Sequence, residues 1–253
     1  MTVQTSTESD YSDFYLIRHL EAELPVKGKV LCGGSAPNSE FDTELNSDSK
    51  TKLNTLAEKV AELHKSVPIA AVYASPFKRT MGTVQPVADK LGLTLKTEKA
   101  LDELNHGIFV GMKSEEWKNH PSWKAYSTLS RMEKFSSRQS DGAETNCEVI
   151  DRVRGFCLTA APQYLGKSVV CCTSDGTMRA LLNLATIEKV YGTLGKKSST
   201  EAVLELQQKG INVEDAKHFE KGDILHIRVN PRTQEIRILE TRTVFPKAPA
   251  EKE

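Results

Sequence analysis

The chain has 253 residues, enough for one large α/β domain with a sizeable core. Its 34 basic and 34 acidic residues cancel, which argues against a nucleic-acid or membrane partner. The first residues are polar and acidic, and no apolar run is long enough to span a bilayer. We therefore expect a cytoplasmic protein without a secretory signal.

The cysteines fit a reducing compartment. They are odd in number and show no C-x-x-C spacing, which argues against a disulfide framework and against a zinc site. Free thiols buried as small apolar side chains are the simplest account. The five residues are Cys32, Cys147, Cys157, Cys171 and Cys172.

Strands and helices alternate along the chain, beginning with a short apolar strand at 14–17. A long loop, 20–47, leads to an amphipathic helix whose N-cap is Asp48 or Ser49. Further apolar strands are predicted at 70–74, 93–97 and 168–172. Helices are predicted at 78–90, where Pro86 should kink or split the helix, after a capping box at Thr145, at 177–191 and at 199–209.

This order predicts an α/β fold: a three-layer sandwich with a mostly parallel, doubly wound sheet and helices on both faces. The polar helical stretch 112–140 is predicted to form a small inserted cap that selects the substrate, and two strands near the end form a hairpin. The predicted domain spans 13–245, between a flexible N-terminus at 1–12 and a disordered tail at 246–253.

Two arginines and a histidine stand where such folds bind ligands. Arg18 and His19 follow the first buried strand, at the edge where parallel sheets form their ligand crevice. Arg79 lies at a strand-to-helix turn, close to a helix N-terminus that favours anions. Arginine suits phosphate, and histidine offers a nucleophilic nitrogen. Taken alone, these residues fit a solvated strand end and a surface arginine equally well.

Four motifs in order give the chain a resemblance to the histidine phosphatase superfamily, the phosphoglycerate mutase-like proteins. "FYLIRHLEAE" resembles the family's opening R-H-G strand, which implies that His19 is the phosphate-accepting nucleophile and that Arg18 binds the phosphoryl group. "YASPFKRTMGTVQPVA" is similar to the segment that holds the second phosphate-binding arginine, here Arg79. "LDELNHGIFVGM" places Glu103 as the proton donor. "DGAETNCEVIDRV" resembles the G-E-S helix start and makes Glu144 a further candidate.

The resemblance implies double displacement at phosphorus, without a metal or any other cofactor. His19 attacks a phosphomonoester, Glu103 protonates the leaving group, and water then hydrolyses the phosphohistidine. Leu104 stands where the mutases of the family carry a substrate-binding arginine. The chain therefore resembles the phosphatase branch.

The last family motif, S-H-G-G-x-x-R, is altered in "VVCCTSDGTMRALL". Ser174 stands where the second catalytic histidine belongs, and a shift by one residue would put Asp175 there instead. Ser174 can donate only a neutral hydrogen bond, whereas an ionised, inward-pointing Asp175 would repel phosphate. Leu20 replaces the glycine that follows the nucleophile. We hypothesise that His106, three residues after Glu103, supplies the missing donor.

Two functions follow from these residues. The first is a slow or specialised phosphomonoesterase that acts on a phosphorylated small molecule or a phosphoprotein. The second is a pseudophosphatase, a scaffold that binds a phosphorylated ligand or partner protein without turnover. The retained nucleophile, arginines and acid favour the first, and the missing histidine favours the second.

Overall fold

One mixed sheet organises the chain, as a computed structural model covering residues 8–25, 33–214 and 216–246 shows. Within these residues there are six strands: β1 Ser12–Arg18, β2 Ile69–Ala74, β3 Leu95–Thr97, β4 Ser168–Thr173, β5 Ile224–Asn230 and β6 Glu235–Arg242. The same residues form eight α-helices: α1 Ser47–His64, α2 Lys78–Leu91, α3 Ser114–Asn119, α4 Pro121–Thr128, α5 Arg131–Ser136, α6 Asn146–Ala160, α7 Asp175–Tyr191 and α8 Ser199–Gln208.

The strand order is β3-β2-β4-β1-β5-β6. The first four strands of this order run parallel, and β5 and β6 add an antiparallel hairpin against β1. The predicted mostly parallel α/β fold and the terminal hairpin are therefore confirmed. The sequence did not predict which strand the hairpin joins.

Helices cover both faces of the sheet. Successive side chains of β1 point to opposite sides, so this strand contributes to the core on each face. Phe14 and Leu16 belong to the core beneath α5 to α8, whereas Tyr15 and Ile17 pack in the core with α1 and α2. All four side chains are at most 3% exposed. A strand buried on both faces reads as a continuous apolar run, which is why it was visible in the sequence.

The predicted N-terminal cap is confirmed for α6 and is wrong for α1. The predicted capping box of α6 is present: Glu148 N donates to Thr145 Oγ1 (3.1 Å), and Thr145 N donates to Glu148 Oε2 (2.8 Å). The predicted N-cap of α1 is wrong, because Asn46 takes that place and its Oδ1 accepts from Ser49 N at 2.8 Å. Amide and carboxylate side chains serve equally as N-caps, so the sequence pattern was ambiguous there.

The helix that contains Pro86 is continuous. The sequence predicts a kink or a split, but α2 runs from Lys78 to Leu91 without interruption. The proline removes one backbone donor, and burial of Val84 and Val87 against the sheet holds the helix on either side of it.

The inserted cap is helical, as predicted. Helices α3, α4 and α5 lie between β3 and α6. Their aromatic side chains pack together, with the rings of Trp117 and Trp123 edge to face at 4.4 Å between centroids. Phe109, before the cap, is buried beside Trp117.

The predicted flexible N-terminus, 1–12, includes residues that belong to the fold. Tyr11 and Ser12 are buried, and Ser12 is the first residue of β1. Residues 1–7, Cys32 and the predicted tail from 247 lie outside the described residues. The four described cysteines are free and buried. Among the described residues, no helix has both the length and the apolarity to cross a membrane.

A buried ion pair fixes β5 beside β1. Arg228 donates two hydrogen bonds to the Asp13 carboxylate, at 2.9 and 3.1 Å, and His226 Nε2 lies 3.0 Å from the same group. Burial alone would raise the pKa of Asp13, but the bonds from His226 and Arg228 hold it below its ordinary value. The pair sets the register of the hairpin at the centre of the sheet.

Candidate active site

The site lies at the carboxyl end of β1, where His19 is buried and only 7% exposed. Its backbone N donates to Thr173 O on β4 (2.9 Å), which ties it to the neighbouring strand. Its ring Nδ1 lies 2.7 Å from the Leu20 carbonyl oxygen. A carbonyl can only accept, so Nδ1 carries the proton and Nε2 keeps its lone pair.

Burial and nearby cations keep this ring neutral. Burial lowers the pKa of His19 well below its ordinary value, and the positive charges of Lys221, Arg79 and Arg18 lower it further. The hydrogen bond to the Leu20 carbonyl acts in the opposite direction. A neutral imidazole at pH 7 is the form that acts as a nucleophile.

Two guanidinium groups flank the histidine. Arg79, the second residue of α2, is buried, and its guanidinium carbon lies 4.6 Å from the centre of the Phe77 ring. Arg18 donates through Nη1 to the Phe219 carbonyl, while its buried Nε has no hydrogen-bond partner among the described residues. A buried donor without a partner needs an explanation, and a bound anion at this position would supply one.

Glu103 lies against the first turn of α7. Its Oε1 accepts from Leu104 N at 2.9 Å. A Cβ added to Gly176 would come within 2.2 Å of the same oxygen, so this contact requires a glycine at position 176. The carboxylate is therefore held by the Leu104 N–H and packs closely against α7 at Gly176.

Replacing Gly176 with alanine should displace Glu103 and lower kcat by about 10- to 100-fold, since an ångström of misplacement has effects of that size. Gly155→Ala in α6 is the matched control, because an added Cβ there meets nothing within 4 Å. The control should keep full activity and gain about 0.5–1 kcal/mol in free energy of unfolding. Steady-state kinetics and urea unfolding measure both. Full activity in Gly176→Ala would show that the position of the Glu103 carboxylate is unimportant.

Ser174 and Asp175, the alternatives for the altered family motif, occupy different environments. The register pairs Arg18 with Thr173, so Ser174 follows next to His19, and it is 2% exposed at the N-cap of α7. Its hydroxyl makes no capping hydrogen bond. The Asp175 carboxylate instead binds the segment before β5: Oδ2 lies 2.6 Å from His218 Nδ1, and Oδ1 accepts from Phe219 N at 2.8 Å.

The two remaining candidates lie on the cap side of Glu103. His106 has its Nδ1 3.2 Å from Gln139 Oε1 and lines a cavity shared with Glu103. Glu144 binds Arg152, which donates to its Oε1 at 2.8 Å and also to the Ala100 carbonyl. Glu144 thus braces the segment that carries Glu103, while His106 borders the cavity. Whether His106 supplies a donor to phosphate stays a hypothesis.

A cavity of about 620 Å³ opens between the site and the cap. It combines acidic residues near the reaction centre with cations and aromatic rings from the cap and α7. Its charged lining residues are Glu103, Asp175, Arg131, Lys134 and Arg179, and its aromatic ones are Trp123, Tyr126 and Phe135. This size and mixture suit a small polar ligand.

Comparison with known proteins identifies the family. The family model described as "Histidine phosphatase superfamily (branch 1)" matches residues 14–202. The chain belongs to this superfamily. The match includes Arg18, His19, Arg79 and Glu103, so the resemblance seen in the sequence motifs is confirmed.

Two curated proteins are similar in sequence to this chain. Phosphoserine phosphatase 1 of Hydrogenobacter thermophilus is 26% identical over 171 residues, 66% of this chain and 72% of that protein. A 2,3-bisphosphoglycerate-dependent phosphoglycerate mutase of Thermoplasma acidophilum is 33% identical over 129 residues, 49% of this chain and 59% of the mutase.

Solved structures share the histidine phosphatase fold. A mycobacterial glucosyl-3-phosphoglycerate phosphatase superposes with a TM-score of 0.62 at 15% identity, covering 89% of this chain and 96% of that one. A phosphoserine phosphatase from Entamoeba histolytica, in complex with 3-phosphoglyceric acid, gives 0.61 at 18% identity, covering 92% and 97%.

One charged residue of this histidine phosphatase site was missed in the sequence. Lys221 lies in the segment before β5, and its charge acts on His19, Arg18, Arg79 and Glu103. It lies outside the matched family segment, and no motif surrounds it. The only signal available was its place before the terminal hairpin, which has meaning once β5 is known to lie beside β1.

Proposed function

We propose that the protein is a phosphoric monoester hydrolase that acts through a phosphohistidine on His19. The observation that carries this proposal is the state of the His19 ring. Its Nδ1 proton is directed at the Leu20 carbonyl, 2.7 Å away, and the ring is neutral, so Nε2 offers its lone pair. Membership of the superfamily and the phosphatase among the curated relatives support the same activity.

In the first step, the Nε2 lone pair attacks phosphorus in line with the ester oxygen. The nitrogen–phosphorus bond forms as the phosphorus–oxygen bond breaks, and protonated Glu103 gives its proton to the leaving alkoxide. The ring retains its Nδ1 proton and gains positive character, which the Leu20 carbonyl stabilises. Arg18 and Arg79 neutralise charge on the equatorial oxygens of the phosphoryl group.

In the second step, water attacks the phosphohistidine. The Glu103 carboxylate accepts a proton from that water, and the electron pair of the nitrogen–phosphorus bond returns to Nε2. Inorganic phosphate leaves, and both His19 and Glu103 are restored to their starting protonation states.

Rapid chemical quench of the native protein with phosphoserine, followed by mass spectrometry, tests this mechanism directly. We expect a phosphoryl group on His19, stable in alkali and lost in acid, that forms and decays at the rate of phosphate release. Phosphate binding without phosphorylation or release would instead support the pseudophosphatase, which the replacement of the second histidine by Ser174 favours.

For the substrate, the cavity favours a small phosphomonoester that carries a carboxylate. Arg131, Lys134 and Arg179 provide three cations to bind a second anionic group beyond the phosphate. The name of the phosphoserine phosphatase relative fits this class.

Replacing Lys134 with glutamine should raise KM for phosphoserine about three- to fivefold, the scale of one partly exposed ion pair. The same variant should leave KM for propyl phosphate unchanged, because that ester has no carboxylate. Lys124→Gln, an exposed change of the same kind in α4, serves as the control. Equal effects on both esters would contradict a carboxylate-binding role for the cap.

A further inference from the structure

The segment Phe219–Asp223 is tied to the end of β1. Arg18 N donates to Asp223 O (2.9 Å), Gly222 N donates to Arg18 O (2.9 Å), and Arg18 Nη1 donates to Phe219 O. Gly222 has a φ of +84°, and an added Cβ there would meet Leu20 Cδ2 at 3.2 Å. These contacts on both sides of Lys221 fix its backbone beside the nucleophile.

Lys221 is embedded among the charges of the site. Its side chain is 28% exposed, and Nζ lies 3.8 Å from Glu21 Oε2. Among the three nearby cations, Lys221 lowers the pKa of His19 the most, ahead of Arg79 and Arg18. Burial first, and then the charge of Arg18, lower the pKa of Lys221 itself to about 8. The backbone contacts place this lysine at the same end of the sheet as Arg18 and His19, and positive charges gathered there favour an anion.

The position also solves a chemical problem. The family resemblance calls for a second histidine beside the transferred phosphoryl group, and Ser174 offers only a neutral hydroxyl there. A hydrogen bond from a charged donor is about twice as strong as a neutral one. A lysine ammonium offers three donors and a compact charge on a flexible stem, so it can reach an equatorial oxygen from a neighbouring segment.

We propose that Lys221 is the third phosphate-binding cation of this site and takes the place of the missing second histidine. The ammonium donates to an equatorial phosphoryl oxygen in the transition state and holds the departing phosphate. This inference rests on the proposed phosphatase function, but it also applies to a site that binds phosphate without turnover.

A phosphate-binding Lys221 makes the affinity for phosphate depend on pH near the pKa of this lysine, about 8. The charged and titratable groups that face it are Arg18, His19, Glu21, Arg79 and Glu103. Guanidinium groups hold their charge between pH 7 and pH 9, and the His19 ring is already neutral. The ionisation of inorganic phosphate between pH 7 and pH 9 is the same for every variant. Relative to that of Lys221→Arg, the affinity of the native protein should therefore fall as pH rises through the pKa of Lys221, because the ammonium loses its proton.

Calorimetric titration with inorganic phosphate at pH 7 and pH 9 tests the assignment. Lys221→Met should weaken binding at pH 7 by about 10- to 100-fold, the value of a hydrogen bond to a charged group. Lys217→Met removes an exposed lysine two residues before this segment and should bind like the native protein. Lys221→Arg should bind within about threefold of the native protein at pH 7 and lose the fall toward pH 9, since a guanidinium does not titrate there.

The outcomes separate this proposal from the enzymatic one. Phosphate affinity of Lys221→Met within twofold of Lys217→Met, or the same fall toward pH 9 in Lys221→Arg as in the native protein, would overturn it. A native protein that does not bind phosphate would overturn it as well. If Lys221→Met does not fold, the pH comparison between the native protein and Lys221→Arg decides alone. Turnover of phosphoserine, measured in parallel, decides the hydrolase proposal independently.

Discussion

Replacing His19 with alanine is expected to abolish phosphate release and phosphoenzyme formation, with kcat falling on the order of 10⁴- to 10⁶-fold, as when an enzyme loses its covalent nucleophile. The loss should exceed that of any other single change at the site, because no other group described there presents an uncharged nitrogen to the phosphorus. Phosphate release from phosphoserine and mass spectrometry of the quenched protein measure the two effects.

The His19→Ala variant should still bind inorganic phosphate, because Arg18, Arg79 and Lys221 remain. That binding shows that the loss of activity is chemical and that the fold is retained. His64→Ala, at the exposed end of α1, is a control for loss of a histidine and should retain its activity. Activity of His19→Ala within tenfold of the native rate would rule out the phosphohistidine mechanism.

Replacing Glu103 with glutamine should lower kcat for alkyl phosphomonoesters by about 10²- to 10⁴-fold, the usual contribution of general acid–base catalysis. Glutamine has the same shape and its oxygen can still accept from Leu104 N. It cannot give a proton to the alkoxide or take one from water. The substitution therefore isolates proton transfer from positioning.

An aryl ester separates the two steps in Glu103→Gln. A nitrophenolate leaves without a proton, so the first step should stay fast, whereas hydrolysis of the phosphohistidine should slow. Stopped-flow measurement should then show a burst of one equivalent of nitrophenol followed by a slow steady state. Glu98→Gln, the same change five residues earlier in the chain, should show native kinetics. Equal losses for alkyl and aryl esters without a burst would contradict the acid–base role.

Much of the site could be predicted because its determinants are local in the chain. The apolar run of β1 and the polar Arg18-His19 pair that ends it are adjacent residues, and a buried parallel strand presents its end to the ligand crevice. The capping box of α6 depends on two residues three positions apart. Arg79 and Glu103 lie within short motifs whose spacing a single sequence displays.

The arrangement of charges in the site could not be predicted from the sequence and is seen only in the tertiary structure. Lys221 comes to the end of β1 only because β5 pairs antiparallel with β1, about 200 positions earlier in the sequence, in a register that places Asp13 opposite Arg228. The contact of Glu103 with Gly176 and the hydrogen bond between Asp175 and His218 likewise join residues that are far apart in the sequence.

The sequence by itself determined the α/β order of elements, and its family motifs predicted the nucleophile, the arginines and the acid, because each of these is encoded by neighbouring residues. The tertiary structure decided which nitrogen of His19 holds the proton, where Asp175 points and which residue adds a third positive charge. Those features depend on burial and on strand pairing between distant segments, for which hydrophobic patterning along the chain carries no local signal.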